Sequence, residues 1–144
     1  YVVVSPSSWV FRDTGVRAGD SFPNLVGVEY DRVDPAYPVE RPIEVLSHSP
    51  LTCEGASSFG DSAYYTHPGG AGVFNSGTMR WVEAIYGDQP HGVEGKTPGF
   101  VRQATMNVLR AFAEGPAAHK YPAHDNLDAM DEAYGSPIDP GNLQ

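Results

Sequence analysis

One cysteine, Cys53, is too few for a disulfide within the chain, and it leaves the redox compartment undecided. Basic side chains are scarce as well. Nine Lys and Arg stand against 18 Asp and Glu, and the net charge of −9 disfavours nucleic acid and anionic membrane as partners. No apolar run approaches the roughly 18–20 residues of a membrane-spanning helix. No HxxxH, CxxC or EF-hand spacing marks a metal site, and no GxSxG elbow presents a nucleophile. Internal repeats, heptads and low-complexity tracts are missing too. The opening Tyr1-Val2-Val3-Val4 is neither an initiator Met nor the charged head and apolar core of a signal peptide. A β-branched run at the first residue reads as a strand entered midway. The expectation is therefore a portion of a longer polypeptide, with part of any active site lying elsewhere.

What is present fits one domain: 144 residues suffice for a real core and are too few to argue for two. The 16 Gly and 13 Pro predict many turns and only modest regular structure. The organising stretch is Ala63–Tyr86, AYYTHPGGAGVFNSGTMRWVEAIY. Tyr and Thr favour a strand over Ala63–His67, Pro68-Gly69-Gly70 a tight turn, and Val73-Phe74 a second strand over Gly72–Asn75. Asn75-Ser76-Gly77-Thr78 then forms an elbow into a helix, with Ser76 or Thr78 as its cap.

Elsewhere, Val2–Val4, Ser7–Phe11, Leu25–Asp31 and Ile43–His48 read as strands, the last closed by Ser49-Pro50. Asp13–Pro23, Pro35–Pro42, Glu54–Asp61 and Asp88–Gly99 read as loops from their Gly, Pro and Ser content. Phe100–Glu114 is the clearest helix. Thr97 is its predicted cap, Pro98 takes the tolerated first position, and Gly115-Pro116 ends it. Phe100, Val101, Ala104, Val108, Leu109 and Phe112 form its predicted apolar stripe. Residues 118–144 read as an extended polar tail, with a short helix around Asn126–Tyr134.

Five residues draw attention as chemistry. Glu29 and Asp31 lie two apart, so on a strand their carboxylates share a face. Facing inward, they need an arginine, a metal or a catalytic task; at an exposed strand end they are solvated charges. His48 and His67 are candidate proton carriers or metal ligands, against a reading as hydrogen-bonded loop histidines beside prolines. Asn75 and the N–H groups of the elbow could receive a developing oxyanion. Ser76 ranks as a cap before an anion donor, and Glu83 as a surface partner of Arg80. Gly69-Gly70-Ala71-Gly72 lacks the Lys-Ser/Thr of a P-loop and reads as a hairpin turn.

The blocks LVGVEYD, VLSHSPL, YYTHPGGAGVFNSGTMRWVEA and FVRQATMNVLRAFAEGP, in this order, resemble the C-terminal part of the N,N-dimethylformamidase large-subunit-like family over roughly residues 1–117. The resemblance implies an α/β fold, the C-terminal portion of a glutamine-amidotransferase-like sheet with a β-hairpin and two helices. It implies amide C–N hydrolysis at a mononuclear iron held by two tyrosines and one glutamate. Glu29, in GVEYD, matches that glutamate. The tyrosine ligands belong to motifs upstream of this chain, and Tyr64 and Tyr65 do not replace them. The expected partner is the upstream portion of the same parent polypeptide, with self-association left open. Proteins of this kind are often parts of long secreted actinobacterial chains, which implies export. His48, His67 and Asn75 as catalytic groups follow from position alone. The alternative is a catalytically silent structural or interaction domain of a secreted protein, with polysaccharide association suggested by the Trp and Tyr content.

Overall fold

The computed structural model describes residues 1–34, 37–87 and 91–134. Parts of three predicted features lie outside the described residues: the connection at 35–36, the loop at 88–90 and the tail at 135–144. What is described is a mixed α/β arrangement of three strands and four helices. Strands β1 (Ile43–Cys53), β2 (Ala56–Thr66) and β3 (Gly72–Asn75) form an antiparallel meander in that order. Helices α1 (Arg80–Tyr86), α2 (Thr97–Ala113), α3 (Ala117–Lys120) and α4 (Leu127–Tyr134) follow.

The predicted hairpin is present, with Thr66 opposite Gly72 and Ala63 opposite Asn75. The strand expected to end at His48 continues to Cys53. All but the first two residues of the predicted loop Glu54–Asp61 belong to β2 instead, because Ala56 to Asp61 pair with Cys53 back to His48. Register shifts between Val45 and Ser47, so the inserted Leu46 and both neighbours are all buried.

β1 is an edge strand, and its free side is covered from both ends of the chain. The Val4 and Ser5 N–H groups donate to the Leu46 carbonyl. The Asn126 side chain accepts from the Val45 N–H at 2.7 Å and donates to its carbonyl at 3.0 Å. Covering a row of unpaired strand groups removes a template for misassociation. Residues 117–134 thus carry two short helices and lie on the body.

Three predicted strands do not form. Val2 and Val3 make isolated bridges to Ser21 and Ser47. Trp9–Phe11 is a 3-10 turn, because the Phe11 N–H returns to the Ser8 carbonyl. Leu25–Asp31 is broken at Val28, whose φ of 61° reverses the chain and turns the side chain out.

The core lies between the sheet, the N-terminal segment and α1–α2. Leu46 and Tyr64 of the sheet join Val3, Phe22, Trp81 and Phe100 in one buried cluster. Phe22 stacks on Phe100 at 4.0 Å between centroids, and each fully buried side chain of this size stabilises the fold by about 1.5–3 kcal/mol. In α2 the buried set is Phe100, Val101, Ala104, Val108 and Ala111. Leu109 and Phe112 are exposed at 59% and 38%. At about 100° per residue, Leu109 falls on the side opposite the stripe and Phe112 at its margin. Thr97 begins α2 as a buried helical residue, and Lys96, not Thr97, occupies the cap position.

Candidate functional site

The segment 25–31 is fastened to the elbow before α1. Thr78 Oγ1 donates to the Leu25 carbonyl at 2.9 Å and accepts from the Gly27 N–H at 3.2 Å. The Arg80 guanidinium donates to the Asn24 carbonyl at 2.8 Å. The Asp31 N–H reaches the Gly77 carbonyl at 3.1 Å. A small cleft of about 220 Å³ results, lined by Glu29, Tyr30, Asp31, Asn75, Ser76, Thr78 and Met79.

Two residues singled out separately in the sequence, Glu29 and Asn75, therefore share one cleft, and Asp31 joins them. Asn75 Nδ2 donates to Asp31 Oδ2 at 2.9 Å, while its Oδ1 accepts from the Gly77 N–H at 2.8 Å. These two bonds fix the amide's orientation and leave one Nδ2 hydrogen for another acceptor. Glu29 is exposed, so the inward-facing reading of its carboxylate is not met within this chain. Ser76 does not cap α1; its hydroxyl donates to the Thr78 carbonyl, and Thr78 Oγ1 takes the Arg80 N–H instead.

His48 sits on β1 directly opposite Asp61 of β2. Its Nδ1 lies 2.7 Å from Asp61 Oδ1, and the Asp61 side chain is only 2% exposed. The other carboxylate oxygen accepts the Val33 N–H at 2.8 Å, and the Asp61 N–H donates to the Asp31 carbonyl at 2.8 Å. The pair is thereby tied through backbone to the cleft. A buried carboxylate on one imidazole nitrogen sets the ring's orientation. Asp61 went unrecognised in the sequence because it stood in a Gly/Ser-rich run read as a loop. Only the β1–β2 register brings it to His48.

His67 lies at the other end of the hairpin, at the turn. Its Nδ1 accepts from the Gly69 N–H at 3.1 Å, closing the turn locally. The structure does not bring it to His48 or Glu29. Glu83 pairs with His91 at 2.7 Å and not with Arg80, which is drawn to Asn24. Tyr64 is buried and donates to the Tyr121 carbonyl at 2.8 Å.

Among the described residues no three His, Cys, Asp or Glu side chains converge as a metal-holding group. The donors present are the exposed Glu29 carboxylate and the Asp31 carboxylate, one oxygen of which is engaged by Asn75. These are hard oxygen donors of the kind a ferric ion takes. They fit one side of such a centre and do not complete it.

A family model described as N,N-dimethylformamidase beta subunit-like, C-terminal, matches residues 1–94. The chain belongs to this family. The match takes in Glu29, Asp31, His48, Asp61 and Asn75, so the cleft and the His48–Asp61 pair both lie within the dimethylformamidase-like region. It stops before α2, so the block FVRQATMNVLRAFAEGP lies beyond it, and the matched region is shorter than the 1–117 expected. No curated protein and no solved structure matches the chain.

Proposed function

We propose that this chain is the C-terminal part of an amide-hydrolysing enzyme of the dimethylformamidase type, completed by polypeptide upstream of this sequence. The observation that carries the reading is the meeting of Glu29, Asp31 and Asn75 in one cleft, inside the region matched by the family. In this reading the sheet is the C-terminal portion of a larger glutamine-amidotransferase-like fold, and the parent protein is exported.

Glu29 is the residue that would hold iron, together with donors from the upstream segment. Bound there, iron supplies Lewis acidity toward an amide carbonyl. The remaining work falls to groups of this chain. Asn75 directs its second Nδ2 hydrogen at the oxygen on which charge develops. His48, steadied by Asp61, carries the proton that the leaving amine requires. Of the two histidines His48 is the one tied to the cleft, through Asp61 and the Asp31 carbonyl, whereas His67 lies at the hairpin turn.

The test is iron content and dimethylamine release from N,N-dimethylformamide, measured on the full-length parent protein and on Glu29→Gln. The wild type should carry iron and release amine, and the variant should lose both while keeping its circular dichroism spectrum. A folded wild type with neither iron nor amidase activity would sink the proposal and leave the silent interaction module.

A further inference from the structure

Helix α1 is apolar on both sides. Trp81 and Ala84 are buried in the core. Met79, just before the helix, Val82 and Tyr86 are 57%, 59% and 78% exposed. These three fall at i, i+3 and i+7, so they share the outer face. The charged residues sit on the flanks and are engaged: Arg80 donates to the Asn24 carbonyl, and Glu83 holds His91. A surface helix carries polar groups on its outer face, whereas one that is apolar all round belongs in an interior.

The patch continues to the rim of the Glu29 cleft. Met79 lines that cleft, and its N–H donates to the Glu29 carbonyl at 3.4 Å. Val28, the residue before Glu29, is held at a φ of 61° with its side chain 65% exposed. A β-branched residue rarely takes that backbone, and here it turns one more apolar group outward.

Three observations select what covers this face. It lies within residues 1–94, matched by a family model of the C-terminal part of a subunit, in which the remaining polypeptide comes first. It borders the Glu29 cleft, whose metal donors are incomplete among the described residues. Tyr1 lies against the inner side of α1, its ring 5.7 Å from that of Trp81, so polypeptide leading into Tyr1 arrives beside this helix. A free partner asks for more: specific interfaces take about 20–30 residues a side, and four side chains fall far short. A tethered segment of the same polypeptide needs no such area, because its effective concentration is high. Leu109 and Phe112 of α2 are exposed too, but they lie outside the matched region and off the cleft lining.

We propose that Val28, Met79, Val82 and Tyr86 form the seat on which the upstream part of the parent polypeptide docks, closing over the Glu29 cleft. This rests on the reading of the chain as the C-terminal part of a larger enzyme, but its test reads neither iron nor turnover.

The full-length parent protein is treated briefly with chloramine-T, and methionine sulfoxide is counted peptide by peptide, in buffer and in urea. Left at 57% exposure, Met79 would oxidise only about twofold more slowly in the folded protein than in urea. Covered by the upstream part, it should oxidise at least about tenfold more slowly, at every protein concentration. Val82→Glu sets a charge under the docked segment and should return Met79 to about the twofold level, with the circular dichroism spectrum unchanged. A benzophenone side chain placed at position 86 should cross-link to a peptide upstream of Tyr1. The proposal is overturned if Met79 is protected only about twofold, or if its protection fades on dilution as for a second copy. A cross-link that falls within residues 1–144 overturns it equally. Unprotected Met79 in an iron-loaded, active enzyme defeats the docking face alone. Protected Met79 in a protein without iron upholds the docking face and defeats the hydrolase reading alone.

Discussion

Asp61 grips His48 across the β1–β2 ladder at 2.7 Å, and it does so from a nearly sealed position. A carboxylate this buried needs its partners: besides the imidazole it takes the Val33 N–H. Asp61→Asn keeps the shape and loses the charge-assisted bond, so stability should fall by about 1–3 kcal/mol in chemical denaturation. On the amide-hydrolase proposal Asp61 positions His48, so Asp61→Asn should also lower kcat of the full-length parent protein with KM held. A merely structural role would leave kcat per folded molecule unchanged.

Gly77 carries the elbow past the sheet. Its φ is +71°, and a Cβ there would overlap the Asp61 carbonyl oxygen. Neither partner can yield, because both are backbone. Gly77→Ala should therefore cost about 2–4 kcal/mol, from the left-handed backbone together with overpacking. Urea titration gives the number; a loss below about 0.5 kcal/mol would mean that the elbow is not held against β2.

Much of this architecture was legible in the sequence where local chemistry decides it. The Pro68-Gly69-Gly70 turn and the apolar spacing of α2 each announce themselves over a few residues. Long-range pairing did not. The run Ala56–Asp61 looks like loop because it is small and Gly-containing, yet Gly60 is small because Val26, Leu51 and Tyr30 press to within 3.2–3.4 Å of where a Cβ would stand. The strand read over Leu25–Asp31 has the right residue types and fails at Val28, where hydrogen bonds from Thr78 hold the segment in a turn. Glu29 and Asn75 were visible as chemistry, but their meeting depends on that turn and on the elbow together. No spacing rule encodes it.

Arg41 and Asp125 join the connection before β1 to the segment before α4. The Arg41 hydrogen bond, joined by the Ile43 and Leu127 N–H groups, holds the Asp125 carboxyl down at about 2. A carboxyl depressed on folding stabilises the folded state fully above its unfolded value and loses that contribution as pH falls toward the folded one. Asp125→Asn should thus lower Tm at about pH 6, with the deficit shrinking below about pH 4 and gone near pH 2. Both partners are solvent-accessible, so the deficit should be small and should shrink further in high salt. A deficit that persists unchanged at the acid end would mean the Asp125 charge contributes nothing.

Glu44 has the opposite sign. Burial pushes its carboxyl above the ordinary carboxylate range, against a smaller opposing pull from His124 and Ser8. The folded state then binds that proton more tightly than the unfolded chain does. Its contribution to stability is complete below the ordinary carboxylate range and is lost as pH rises through the raised value. Glu44→Gln keeps the volume and a polar atom for Ser8 while removing the ionisation. The variant should match the wild type in Tm below about pH 4 and exceed it increasingly toward neutral pH, where the wild type must either carry a buried charge or hold its proton against solvent. Parallel thermal scans across that range decide it. A Glu44→Gln protein less stable than wild type at neutral pH would show that the carboxylate is well satisfied by its partners.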